Sequence, residues 1–390
     1  MNILFLTPEY ATPQSPSGGL GVYVRKTAAT LAARGHTVTV LLLSRRNAEW
    51  FDECVHIVEV GIAFIPSGIY RLKRLGHYIL FLVHRWVMRR AVERLNSENR
   101  FDIIQASSYL APGLLVPRTY PVVCRLSSIE FILRESNANP LRGLDRLLAV
   151  FEREQCRRVR ALFAPSFFIA RKAAEHYGVY AEVIRSAPNA ESAKHREADL
   201  SFYEQNLSGK RYILYFGQMS YLKGMDIIGK ALPYVLKAVP DVHMVFIGRD
   251  DGLPFAITCQ AYIRAQLDGT LQERMHFFPP LPHSSLMPCV AGSACVLQPT
   301  RMDNLPNTCI EALEAQRPVI AATPTSLEEL VEDGVNGWLF PCEDATALAD
   351  ITVSFLRGER SLSSPGHLRD FYAHDPIDRL EQFYASYARI

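Results

Sequence analysis

Apolar residues in the first half of the chain gather into short runs at 3–6, 37–43, 101–106, 121–126 and 161–164, and most intervals between them carry the three-to-four-residue repeat of helices. Short runs without polar alternation, separated by helical stretches, predict a parallel sheet covered by helices. The pattern restarts at 212–216, followed by a helix over 225–238, strands at 275–278 and 294–297, a sheet end over 334–340, and helical periods at 344–356 and 376–388. At 390 residues the chain exceeds what one core usually supports, so length and pattern both predict two domains. The fold class is α/β, with a doubly wound Rossmann-like domain over 1–190, a polar linker over 191–210, a second such domain over 211–372 and a C-terminal helix over 373–390.

Residues 294–322 are the stretch around which the rest is organised. An apolar strand passes through a polar turn into a helix that starts at Pro306, where a missing N–H is harmless, and Pro318 stops it. Ile310 and Leu313 can face a core, while Asn307, Thr308 and Glu311 share another face, towards the turn. Free N–H groups of a helix just past a buried strand make an anion site, and a carboxylate one turn further in can accept hydrogen bonds from a diol. The ligand these features predict is a sugar nucleotide.

Two further loops have the same logic. Ser17-Gly18-Gly19-Leu20-Gly21 precedes a helix over 22–34, and its glycines allow either close approach to a phosphate or simply a tight turn. Gly217-Gln218-Met219-Ser220-Tyr221-Leu222-Lys223-Gly224 opens the helix over 225–238, and Lys223 at its mouth can reach a diphosphate as a flexible point charge. Asp250-Asp251-Gly252 has the composition of a turn rather than of a metal site.

Composition narrows the rest. With 48% hydrophobic and 21% charged residues and a net charge of +2, the chain is an ordinary globular protein, and it carries no zinc-finger or RNA-recognition signature that would point to nucleic acid. The eight cysteines include no C-x-x-C pair and read as buried, reduced thiols of a cytoplasmic protein. The first residues look like a strand rather than a secretion signal, and no apolar run reaches transmembrane length. The stretch 69–95 carries seven basic residues against the single acid Glu93, around an apolar centre. It reads first as a crossover helix lying on the sheet; weak peripheral contact with an anionic membrane, at the inner face, is the other reading.

The segment from Asp303 to Leu313, followed by Pro318-Val319-Ile320-Ala321, resembles the donor-site signature of the retaining family-4 glycosyltransferases of the GT-B fold. That signature carries two acids separated by seven residues, here Asp303 and Glu311, and Asp303 stands where the family usually has Glu. The resemblance implies two Rossmann-like domains facing each other across a cleft, the first binding the acceptor and the second the donor nucleotide, with the C-terminal helix crossing back to the first. It implies hexosyl transfer from a nucleotide-diphosphate sugar (UDP or GDP) to a sugar, lipid-linked or small-molecule acceptor in carbohydrate or glycoconjugate biosynthesis, with retention of configuration. No metal or other cofactor is expected, because no Asp, Glu or His cluster has metal-ligand spacing and Lys223 with the helix N-terminus can supply the positive charge.

Carried onto this chain, it assigns Asp303, Lys223 and Glu311 to catalysis. Gly18, Gly19, Gly217, Gln218, Lys223, Leu281, Asn304, Leu305, Pro306, Asn307, Thr308 and Glu311 are assigned to the donor, and Glu9, Tyr10 and Ser127 to the acceptor. Gln218 stands where the family usually has Arg, leaving one positive charge missing that Arg249 could supply; the alternative for Arg249 is a solvated loop charge. Ser127 stands where the family usually has His, so either acceptor binding differs or an imidazole comes from elsewhere. A sugar-nucleotide epimerase of the same fold, and a catalytically weak nucleotide-sugar binder, are the competing readings.

Overall fold

The computed structural model describes residues 1–12, 19–44, 46–61, 73–127, 129, 144–187, 198–254, 257–364, 368 and 375–388. These divide into two compact units: one made of the residues up to Ala187 together with the C-terminal helix, the other of the described residues from 198 to 368.

The sheet of the first unit is built from β1 (Asn2–Thr7), β2 (Thr37–Ser44), β3 (Ala48–Asp52), β4 (Val55–Gly61), β5 (Ile103–Ser107), β6 (Val122–Arg125), β7 (Ala161–Ala164) and β8 (Glu182–Val183). The order is β3-β4-β2-β1-β5-β6-β7-β8, parallel except for the β3–β4 pair. Consecutive residues of β1 point to opposite faces: Ile3 and Phe5 pack with α1 (Gly19–Ala33), Leu4 and Leu6 with α2 (Lys73–Glu98). Both faces are covered, which is why the strand reads as a continuous apolar run. Among the described residues, α3 (Leu144–Arg158) and α4 (Phe167–Tyr177) are the remaining helices before Ala187.

The hairpin β3–β4 lay outside the expected strands. Its turn has no Asn-Gly signature, because Glu53 itself takes the left-handed conformation at φ 54°. The residues expected as a linker at 191–210 also differ in part: α5 (Ser201–Asn206) is a helix whose Phe202 packs edge-on against Phe278 of the second unit.

The second unit contains β9 (Arg211–Phe216), α6 (Met225–Ala238), β10 (Val242–Ile247), α7 (Cys259–Ala265), β11 (Met275–Phe278), α8 (His283–Ala291), β12 (Cys295–Gln298), α9 (Asn307–Glu314), β13 (Val319–Thr323), β14 (Gly337–Pro341) and α10 (Ala345–Leu356). Its six parallel strands run β11-β10-β9-β12-β13-β14. From β9 the chain builds outwards through β10 and β11, then returns to place β12 on the other side of β9. That reversal is a topological switch point, where loops at the carboxyl ends of two neighbouring strands part and leave room for a ligand.

The C-terminal helix α11 (Pro376–Tyr387) buries Ile377, Leu380, Phe383 and Tyr384 in the core of the first unit beside α1. Arg34 at the end of α1 pairs with Asp375, Asp378 and Glu381, and the Tyr384 hydroxyl donates to Gln105 of β5.

Of the cysteines, six are buried, Cys342 is half-buried and Cys54 in the β3–β4 turn is exposed, against the expectation that all are buried. α2 is a crossover helix that buries Met88, Val92 and Leu95 on the sheet but exposes Leu75, Leu82 and Trp86. Among the described residues no helix is long and apolar enough to cross a membrane.

Candidate functional site

At the switch point of the second unit, two turns leave the sheet side by side. One follows β9 and runs from Gly217 to Gly224; the other follows β12 and ends at Pro306. They are joined by backbone: the Arg301 N–H donates to the Leu222 carbonyl at 2.9 Å, and the Thr300 hydroxyl reaches the same oxygen at 3.2 Å. Gly224 permits this approach, since a Cβ there would lie 2.1 Å from the Pro299 carbonyl oxygen and its φ of +74° disfavours any other residue.

The helix α9 begins at Asn307, with Pro306 extended before it (φ −76°, ψ 113°), one residue later than the sequence pattern places its start. It also ends before Pro318, where Gln316 turns left-handed at φ 57°. Ile310 and Leu313 are buried as the spacing predicts, Asn307 is exposed, and Thr308 and Glu311 are half-exposed on the other side. Thr308 faces the first turn: a Cβ on Gly217 would come 3.4 Å from its Cγ2. Glu311 lies 3.8 Å from His283 at the start of α8, so an imidazole stands beside the carboxylate expected to hold a diol. Leu281, just before that helix, packs on the α8–α9 core.

Lys223 and Asp303 meet across the two turns: the ammonium donates to Asp303 Oδ2, and both side chains keep 21% of their surface exposed. The other oxygen, Oδ1, accepts from the Asn304 N–H at 2.8 Å, and the Asp303 carbonyl accepts from the Ser326 hydroxyl at 2.8 Å. Met302 and Leu305 are buried on either side of this polar turn, which fixes its course. Tyr215 of β9 donates its hydroxyl to the Gln218 carbonyl at 2.6 Å; burial, with the charge of Asp303 adding to it, pushes this phenol well up.

Gln218 and Arg249 converge on one acid. The Gln218 amide donates to Asp251, and Arg249 grips the same carboxylate through two bonds of 2.6 and 2.8 Å. Hydrogen bonding from Arg249 holds the Asp251 carboxyl below its usual range. The charge expected from Arg249 is therefore already matched, on a side chain that is 71% exposed. Asp250 caps α7, accepting from the N–H groups of Gly252, Cys259 and Gln260 at 2.9–3.0 Å. Burial opposes its charge, but these bonds win and keep its carboxyl low. Among the described residues no group of three or more His, Cys, Asp or Glu is placed to hold a metal ion.

In the first unit, Glu9 follows β1 with its carbonyl accepting from the Thr7 hydroxyl at 2.9 Å. Tyr10, expected on the acceptor side, is 7% exposed; its hydroxyl donates to Asp52 at 2.8 Å and its ring meets Trp50 edge-on. It thus packs against the β3–β4 hairpin. Ser127 is buried after β6, its N–H donating to Ser108 Oγ at 2.8 Å. Arg125, two residues earlier, stacks on the Tyr23 ring at 3.7 Å and donates to Ser186 at 3.1 Å. Gly19 opens α1 and is exposed, whereas Gly18 lies outside the described residues.

One group at the switch point escaped the sequence reading. Arg301 pairs with Asp226, near the start of α6, at 2.8 and 2.9 Å, and with Glu343, after β14, at 2.5 and 2.9 Å. The only signal for it was a basic residue inside the polar turn after β12; its partners are 75 and 42 positions away.

The arrangement places a lysine–aspartate pair beside a helix N-terminus, over a parallel sheet of the kind found in both halves of GT-B enzymes. Residues 17–190 match the model of glycosyltransferase family 4, and residues 210–357 that of the group 1 glycosyl transferases. The chain is 25% identical over 417 residues to D-inositol 3-phosphate glycosyltransferase 1 of Catenulispora acidiphila, covering 98% of this chain and 94% of that protein. In fold it resembles sucrose-phosphate synthase from Thermosynechococcus elongatus (TM-score 0.77, 17% identity, 99% of this chain and 98% of that one). It also resembles the Anabaena protein Alr3699/HepE, solved with UDP and glucose (TM-score 0.68, 19% identity, 99% and 98%). The molecule is a glycosyltransferase of the GT-B fold. It belongs to the group 1, family 4 enzymes, a retaining family that transfers sugar from nucleotide sugars.

Proposed function

We propose that this enzyme transfers a hexosyl group from a nucleoside-diphosphate sugar to an acceptor hydroxyl, with the donor held at the β9/β12 switch point and no metal ion needed. The observation that carries the reading is the meeting of Lys223 and Asp303 beside the N-terminus of α9, with Glu311 one turn further in. An ammonium has three donors, so Lys223 can serve Asp303 and a diphosphate oxygen together. As the bond from the anomeric carbon to the phosphate oxygen breaks, negative charge grows on that oxygen, and Lys223 and the helix N-terminus stabilise it. The acceptor oxygen bonds to the same face of the anomeric carbon, and its proton passes to the departing phosphate oxygen. Asp303 orients the sugar's hydroxyls, and Glu311 accepts from the ribose diol.

UDP is the first base to test, because Alr3699/HepE was solved with UDP and glucose and with UDP-glucose. A thermal-shift panel of UDP, GDP, ADP and TDP sugars reads the base directly, since a ligand at a hundred times its dissociation constant stabilises by about 2.7 kcal/mol. Product analysis then separates transfer from epimerisation: an epimerase releases free sugar or an epimer and needs no acceptor. No stabilisation by any of the four would overturn the reading.

A second observation bears on the acceptor. Leu75, Leu82 and Trp86 stand exposed on one side of α2, with Arg89 and Arg90 on the next turn. This favours a lipid-linked acceptor met at the inner face of an anionic membrane over a free small molecule. Co-sedimentation with phosphatidylglycerol vesicles, lost in Trp86→Ser/Leu82→Ser, tests it; equal binding by the variant would remove it.

A further inference from the structure

Arg301 is 8% exposed, and its guanidinium uses all five of its N–H donors. Nε and one Nη2 proton go to Glu343 at 2.5 and 2.9 Å, the other Nη2 proton and one Nη1 proton to Asp226 at 2.9 and 2.8 Å, and the last to the Tyr221 carbonyl. The guanidinium plane also lies 3.7 Å over the Tyr221 ring. Its own backbone N–H bonds the Leu222 carbonyl at 2.9 Å. Burial works against its charge, and the two carboxylates outweigh that and hold it protonated.

These contacts matter because of what is next to them in the chain. Tyr221 and Leu222 immediately precede Lys223; Arg301 stands two residues before Asp303. One planar cation therefore holds the two turns that present the ends of the Lys223–Asp303 pair, and fastens both to the first turn of α6 and to the loop after β14. We propose that Arg301 is a positioning residue of the donor site: it sets the reach of Lys223 and the place of Asp303 without itself touching substrate. The proposal rests on the role given to Lys223 above. A displacement of about 1 Å in such a group costs on the order of a hundredfold in rate, so the support is as consequential as the group.

Lysine is the informative replacement, because Arg301→Lys keeps the charge that Asp226 needs while losing the fork and the ring stacking. The test is a double-mutant cycle of Arg301→Lys with Lys223→Ala. Turnover is read as nucleoside diphosphate released from whichever of UDP-glucose, GDP-mannose, ADP-glucose and TDP-glucose raises the thermal midpoint most. The expected result is a fall in kcat of about tenfold or more for Arg301→Lys, with donor KM moving less than about threefold, and no further fall when it is added to Lys223→Ala. Two separate losses that multiply in the double variant would overturn the positioning role while leaving Lys223 in place. Unchanged kcat in Arg301→Lys would do the same. Full activity in Lys223→Ala alone would instead remove the reading of Lys223, and this proposal with it. Should Arg301→Lys fail to fold, Glu343→Gln carries the cycle: that side chain is 57% exposed, and the expected loss is smaller but again absent in the Lys223→Ala background.

Discussion

Lys223 donates its ammonium to Asp303 across two turns that leave adjacent strands of one sheet, although the two residues are 80 positions apart. The pair sets a point charge against an acid whose other oxygen is held by the Asn304 N–H. Lys223→Ala should therefore lower kcat by roughly 10²–10³, the scale of losing one pre-aimed donor to a developing oxyanion, with a smaller change in donor KM. Steady-state kinetics in which both parameters shift equally would mean that Lys223 binds donor and transition state alike.

Glu311 is half-buried beside His283, in reach of the α9 N-terminus. Glu311→Gln should weaken nucleotide binding by one to two decades, since charge-assisted hydrogen bonds are worth roughly 1.5–3 kcal/mol, at near-normal fold stability. Calorimetry giving the parent affinity would end the diol role.

Gly224 lets two backbones touch. Gly224→Ala brings a methyl group within 2.1 Å of the Pro299 carbonyl oxygen at a left-handed φ, and should destabilise the second unit by about 3 kcal/mol or more. Denaturant unfolding would show it; a loss below about 1 kcal/mol would mean that the two turns separate easily.

His243 and His276 sit side by side on β10 and β11, with Nδ1 of one 3.1 Å from Nε2 of the other. Burial first depresses both imidazoles below their usual value, helped by Lys210 and Arg274 at His243 and by His243, Lys210 and Arg264 at His276. A base with a lowered folded pKa binds fewer protons folded than unfolded. Stability then rises with pH up to the ordinary histidine value near 6.5 and falls as pH drops below it. Thermal midpoints measured from pH 7 to pH 5 should decline, and less steeply in His276→Gln; parallel profiles would show that the pair does not contribute.

The reaction should proceed in excess EDTA and give an α-linked product from an α-linked donor. In the proposed route the positive charge at the diphosphate comes from Lys223 and the α9 N-terminus. Proton NMR of the new linkage reads the configuration. A β-linked product, or activity abolished by the chelator and restored by magnesium, would contradict the proposed route.

What the sequence determined by itself was local. Continuous apolar runs such as 3–6 and 212–216 announce strands covered on both faces, because burial on two sides removes the polar alternation. Pro306 with Glu311 one turn into its helix, and Lys223 at the mouth of a glycine-bearing loop, suggested an anion and diol site locally, because each lies within a turn or two of a helix start; the pairing of Asp303 with Glu311 came from the family resemblance. The tertiary structure decided which polar side chains meet. Asp251 takes both Gln218 and Arg249, Tyr10 turns to Asp52, and Arg301 gathers Asp226 and Glu343. Such partners are set by which strands become neighbours. Periodicity along the chain records how deeply a residue is buried, but the return of β12 to the side of β9 is what brings Lys223 to Asp303.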